Sequence, residues 1–234
     1  LLLFVIAVVY VHNVQLLPKS GFGPVQALLS AALAGLNGLV ALFVIASVCV
    51  RFVFPGPSVE SPMRWLWHAI PVRFGHVLQI KLAASVVPLL VVAGGLTELT
   101  NAMLGTPEPV RWGARLVVAV ASVALAVLAL VFGMRYPVIN PEHPAQVPTS
   151  SGGLLFMTTA TGMLVTVSAM LATPLYWYMA AVWEASRTGV PTDGGAVLAR
   201  TWPFLAGAAA LLLGLIVWGV VWLGRRRGLV EVDA

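Results

Sequence analysis

The sequence predicts an all-α fold, a polytopic helical membrane protein with about six crossings and a short helix lying on the cytoplasmic interface. Three observations predict it. Five long apolar runs occur, at residues 25–50, 82–104, 116–134, 154–182 and 202–223, and four of them contain no charged residue. Of the 234 residues, 60% are hydrophobic and only 9% are charged, against about 25% charged in a soluble domain. The basic residues collect in the joints between the runs, where they flank hydrocarbon instead of crossing it.

Each run has roughly the 17–25 residues, or a few more, that a helix needs to cross about 30 Å of hydrocarbon. In a soluble domain a helix that is apolar all round has no place for its second face. In lipid the same pattern is stable, because each backbone N–H and C=O is satisfied within the helix. Residues 1–11 form a shorter apolar run without a basic leader or a small-residue cleavage site, so no signal peptide is expected. This run reads as the end of a sixth span whose beginning lies upstream, which makes the chain the C-terminal portion of a longer protein. The expected organisation is one transmembrane domain over residues 1–234.

Net charge is +5 and the isoelectric point is near 10, a balance that in a soluble protein would suggest nucleic acid. Here Lys and Arg flank the spans, so anchoring explains the charge, and the expected contact is membrane lipid with no nucleic acid. One set of joints carries Arg51, Arg64, Arg73, Lys81, Arg135, Arg225, Arg226 and Arg227; the other carries Lys19, Arg111, Arg115, Arg187 and Arg200. Eight against five, with a triple cluster after the last run, places the first set in the cytoplasm by the positive-inside rule.

The outward joints, around Pro18, Gly105 and Gly189, are short and rich in Pro and Gly, with no evident chemistry. The inward joints are longer. In the first, Phe54-Pro55-Gly56-Pro57 breaks the preceding span. Ser61 then reads as an N-cap with Pro62 at the first helical position. Met63, Leu66, Trp67 and Ile70 share one face at helical spacing, and Glu60 and Arg64 stand four apart in the favourable order. The prediction is an interfacial helix over residues 61–71, with Trp65 and Trp67 at headgroup depth. Either it anchors the loop, or it docks a cytoplasmic partner. A second amphipathic stretch at residues 73–81 feeds the next span.

In the second inward joint, Pro137, Pro141, Pro144 and Pro148 fall within twelve residues and hold the chain extended. Glu142 and His143 lack further ligands at metal-binding spacing, so no metal site is expected. Ser150-Ser151-Gly152-Gly153 opens the next span and permits close backbone approach. Cys49 is the single cysteine and reads as a small packed hydrophobe.

Within the spans Glu98 stands out, with six residues after it before Gly105 is reached, and so about 9 Å from the outer end of its helix. A carboxylate there is costly unless it meets water or a partner. It either lines an outward translocation path with Thr97 and Asn101 or pairs with Arg111 or Arg115. Thr158, Thr161, Gly162, Val165, Ala169 and Ala172 form one stripe, and Ala27, Ala31, Gly35 and Gly38 another; both are expected to serve helix packing.

The two inward joints carry a family resemblance. Arg51, Phe54-Pro55, Ser58-Val59-Glu60-Ser61, Trp65 and Ala69-Ile70-Pro71, followed by Lys81, resemble a signature of bacterial ABC exporter permeases of the ABC-2 type. Asn140-Pro141-Glu142-His143-Pro144-Ala145-Gln146 with Ser150-Ser151-Gly152-Gly153-Leu154 is similar to that family's second motif. The departures are Ser61 in place of Gly and Pro148 in place of a small residue. The resemblance implies a transport subunit of a bacterial cytoplasmic membrane, working with a separate ABC ATPase subunit and with a second permease subunit or the missing N-terminal half. It implies that residues 61–71 are the coupling helix, with Glu60, Arg64, Trp65 and Trp67 at the ATPase interface. The chain contains no Gly-x-x-x-x-Gly-Lys-Ser/Thr phosphate loop, so ATP binding and hydrolysis are expected on the partner. No catalytic residue, cofactor or metal is expected in the chain itself.

Two other classes compete. A secondary transporter, or a structural membrane subunit without an ATPase, would fit the spans; the former needs paired ionisable groups or broken helices near the midplane, and Glu98 alone comes close. An intramembrane enzyme or haem protein needs several His or carboxylates facing one another, and the charge-free runs disfavour it.

Overall fold

The computed structural model describes residues 23–60, 74–104, 108–138, 146–189 and 194–225. Among them the secondary structure is helical throughout, with no strand. The helices are α1 (Gly23–Val48), a π-helical turn (Cys49–Val53), the one-turn α2 (Gly56–Val59), α3 (Phe74–Leu104), α4 (Glu108–Arg135), α5 (Ser151–Thr188) and α6 (Gly194–Arg225). Five segments are long and apolar enough to cross a membrane: Gly38–Val59, Gln79–Met103, Glu108–Arg135, Ser151–Thr188 and Gly194–Gly224. The chain is a multi-pass helical membrane protein. The sixth span expected at residues 1–11 and the interfacial helix expected at residues 61–71 lie outside the described residues.

The helices outrun the apolar stretches that announce them. α3 begins at Phe74 instead of residue 82, α4 at Glu108 instead of 116, and α6 at Gly194 instead of 202. Hydropathy marks only the part of a helix that sits in hydrocarbon. The extra turns carry Lys81, Arg111, Arg115 and Arg200, good helix formers that prefer an interfacial setting. Pro88, Pro174 and Pro203 lie inside helices, as transmembrane helices tolerate when neighbours re-satisfy the freed carbonyls.

Contacts group the chain into two compact units. One comprises Leu1–Val44, Val92–Ala119 and Leu164–Leu211. Within it Gly35 meets Leu175, whose Cδ2 lies 2.9 Å from where a Cβ on Gly35 would sit. Arg200 stacks its guanidinium 5.0 Å from the Trp177 ring centroid, a cation–π contact between α6 and α5.

The other unit comprises Ile45–Val91, Val120–Met163 and Leu212–Ala234. Its centre is α4: every residue from Ala124 to Val131 is buried, so this stretch is enclosed on all sides. Small residues at Ala124, Ala126 and Ala129 let neighbouring helices come close, which in lipid supplies the van der Waals contact that holds helices together. Gly219 of α6 packs on Val127 so tightly that a Cβ at position 219 would collide with the valine. Cys49 is fully buried here, as expected of a packed hydrophobe.

One packing expectation fails. Thr158, Thr161, Gly162, Val165, Ala169 and Ala172 are all exposed among the described residues. α5 instead buries Gly152, Gly153, Phe156, Ala160, Met163, Leu164 and Val167. Small size alone does not choose the packed face, because helices in lipid lack the water-driven bias that hides apolar residues. Of the second stripe, Gly35 is exposed and Gly38 half-buried, and the side chains of Ala27 and Ala31 lie outside the described residues.

Candidate functional site

The chain's most constrained region follows α1. Its buried face continues through Ile45, Ala46, Cys49, Val50, Val53 and Phe54, a pair of residues every fourth position. Across Cys49–Val53 the helix loosens into a π-turn, closed by the Phe54 N–H donating to the Cys49 carbonyl at 2.9 Å. Such turns accommodate an extra residue and are frequent at functional positions. Pro55 then redirects the chain, and its carbonyl accepts from the N–H groups of Ser58 and Val59, each at 2.9 Å.

Phe54 is fully buried. Its ring stacks on Phe156 with centroids 6.2 Å apart, and Phe132 meets Phe156 edge-on at 6.2 Å, an arrangement that favours aromatic pairs. The Phe54 carbonyl lies against Gly133, where a Cβ would overlap it. Gly152 meets Tyr136 in the same way: a Cβ there would stand 2.6 Å from the tyrosine Cβ. The close approach expected of Gly152-Gly153 is thus realised, Gly153 lying against the Pro148 carbonyl. Ser150 caps α5, accepting from the Gly153 N–H at 3.3 Å while its hydroxyl donates to the Val147 carbonyl at 2.7 Å.

Two polar contacts finish the region. Ser58, fully buried, accepts from the Val138 N–H at 3.1 Å across 80 residues of sequence. Glu60, the C-cap of α2, forms an ion pair with Lys81 of α3. Residues 54–60 are therefore tied to α3, to the end of α4 and to the start of α5.

A second polar cluster joins α3 and α4. Glu98 accepts from Arg111 Nη2 at 2.6 Å, from Arg115 Nε at 2.7 Å and from Arg115 Nη2 at 2.7 Å. Arg111 also reaches Glu108 at 3.0 Å, and the Arg115 guanidinium lies 4.6 Å from the Trp112 ring centroid. The pairing considered for Glu98 is present, and it engages both arginines. Thr97 and Asn101 flank it and are buried.

Glu60 is thus placed beside Lys81, and Glu98 and Asn101 together in the second cluster, whereas Arg64, Trp65 and Trp67 lie outside the described residues, as do residues 139–145 of the second motif. Among the described residues no group of three or more His, Cys, Asp or Glu could hold a metal ion. Ser58 figures only as part of the family signature, and Gly133 and Val138 were not singled out from the sequence. A Ser after Pro-Gly-Pro and one Gly near a helix end carry no signal of what they touch.

A family model described as "Putative ATP-binding cassette" matches residues 1–233. No curated protein and no solved structure shows significant similarity to the chain.

Proposed function

The chain belongs to that ATP-binding-cassette family, and on that premise we propose that it is the membrane-embedded permease part of an exporter driven by a separate ATPase subunit. The observation that carries the reading is the family match over nearly the whole chain, together with five helices among the described residues that are long and apolar enough to cross a membrane. A chain of this composition supplies a path through lipid. It contains no phosphate loop, so the reading assigns nucleotide hydrolysis to the partner.

In this reading the membrane is the bacterial cytoplasmic membrane, and the joint between Arg51 and Lys81 faces the cytoplasm. Its coupling surface comprises Glu60, Arg64, Trp65 and Trp67, and a second permease subunit or a further half completes the path. Glu98 and Asn101 border that path near the opposite face. The alternative of a secondary transporter draws less support, because Glu98 is engaged by two guanidiniums and so is poorly placed to exchange a proton or ion.

The test is co-purification. The full protein, expressed with its candidate ATPase subunit, should retain that subunit in detergent and stimulate its ATP hydrolysis. Arg64→Ala or Trp65→Ala should insert normally yet lose the stimulation. An ATPase that neither binds nor responds would remove the reading.

A further inference from the structure

We propose that Glu60 and Lys81 form a clasp that transmits movement of the α2 turn to α3, an inference that rests on the permease reading and makes both positioning residues. On that reading alone, Glu60 would be one of several surface contacts for the ATPase. Its carboxylate is instead engaged within the chain, by an ammonium 21 residues away.

The geometry suits transmission. The Glu60 N–H donates to the Gly56 carbonyl at 3.1 Å, so the residue moves with its turn. The turn is itself held: Ser58 accepts from Val138, and Phe54 lies against Gly133 and stacks on Phe156. Lys81 stands in the third turn of α3, and its own carbonyl accepts from the Ser85 hydroxyl at 2.8 Å. A push on α2 reaches α3 through the ion pair.

A bland alternative exists. An ion pair between half-exposed groups can do no more than satisfy a lysine at the membrane surface, and such pairs contribute little to stability. The two roles differ in what an exchange of charges would do. A surface lysine needs no particular partner. A clasp needs opposite charges at both positions and is indifferent to which end carries which.

The experiment uses the full chain with its ATPase subunit in lipid nanodiscs, reading co-purification and stimulated ATP hydrolysis. Lys81→Gln, outside the coupling surface, should keep the ATPase bound and lose stimulation by about fivefold or more, the low end of measured coupling between sites, and Glu60→Gln should lose as much. The exchange variant, Glu60→Lys with Lys81→Glu, should recover stimulation to within about twofold, since contacting residues are non-additive. Unchanged stimulation in the single variants, or an exchange variant as defective as they are, would overturn the clasp. Loss of stimulation in Glu60→Gln but not in Lys81→Gln would make Glu60 an ATPase contact alone and overturn it too. Failure of the unaltered protein to bind the ATPase would remove the permease reading and the clasp together, an outcome distinct from the others.

Discussion

The carbonyl of Phe54 and the Cα of Gly133 touch with no space left for a side chain between them. Gly133 sits in the last turns of α4, three residues from Tyr136, which in turn packs on Gly152 at the start of α5. One glycine thus sets how closely the bend after α1 approaches two other helices. Gly133→Ala must push a backbone carbonyl aside, which in packed interiors costs about 1–3 kcal/mol. The expected outcome is a lower melting temperature in detergent, with a larger drop for Gly133→Val. Gly113→Ala, where a Cβ meets nothing within 4 Å and the helix gains propensity, is the control and should not lower it.

Ser58 gives a second prediction. Its hydroxyl is the acceptor for the Val138 N–H, and it is fully buried. Ser58→Ala leaves that amide without its partner, at a cost of about 1–3 kcal/mol for an unsatisfied buried donor. Hydrogen exchange at the Val138 amide should speed up in the variant, and Ser58→Thr, which keeps the oxygen, should restore protection.

The Glu98 cluster predicts an asymmetry. Removing Arg115 leaves Glu98 with Arg111, whereas removing Glu98 leaves two guanidiniums facing each other without their shared acceptor. Glu98→Gln should therefore destabilise the protein more than Arg115→Gln. Thermal unfolding of the two variants in the same lipid checks the order.

Cys49 supplies a probe of packing. It is fully buried, so a thiol reagent should leave it untouched in the folded protein and react once the chain is denatured. Opening of the π-turn by Gly133→Val should raise its labelling rate, measured by mass spectrometry.

Much of this architecture was legible in the sequence, and the parts that were not share a physical reason. Apolar runs located all five described spans because hydrocarbon selects composition directly. Their ends were misplaced by up to eight residues, because Glu108, Arg111 and Lys81 continue the helices into the interface, where hydropathy is silent. The close approach at Gly152 followed from local chemistry, whereas the cap at Ser150 was not read from the sequence. Which face of α5 packs did not, since Thr158 and Ala160 are both small and only the neighbouring helices decide between them. Nor could spacing reveal that Glu60 pairs with Lys81, 21 residues further along the chain. Pairing of Glu98 with arginine was foreseeable, because a carboxylate among apolar residues requires a partner and two cations lay just across the hairpin.

The account depends most on which side of the membrane the joint between Arg51 and Lys81 occupies. The direct measurement is labelling of Arg64→Cys in a Cys49→Ser background with a membrane-impermeant maleimide, in intact cells and in inverted vesicles. The account predicts reaction in the inverted vesicles alone. Reaction in intact cells would put the joint outside, beyond reach of any ATP-driven subunit, and would contradict it.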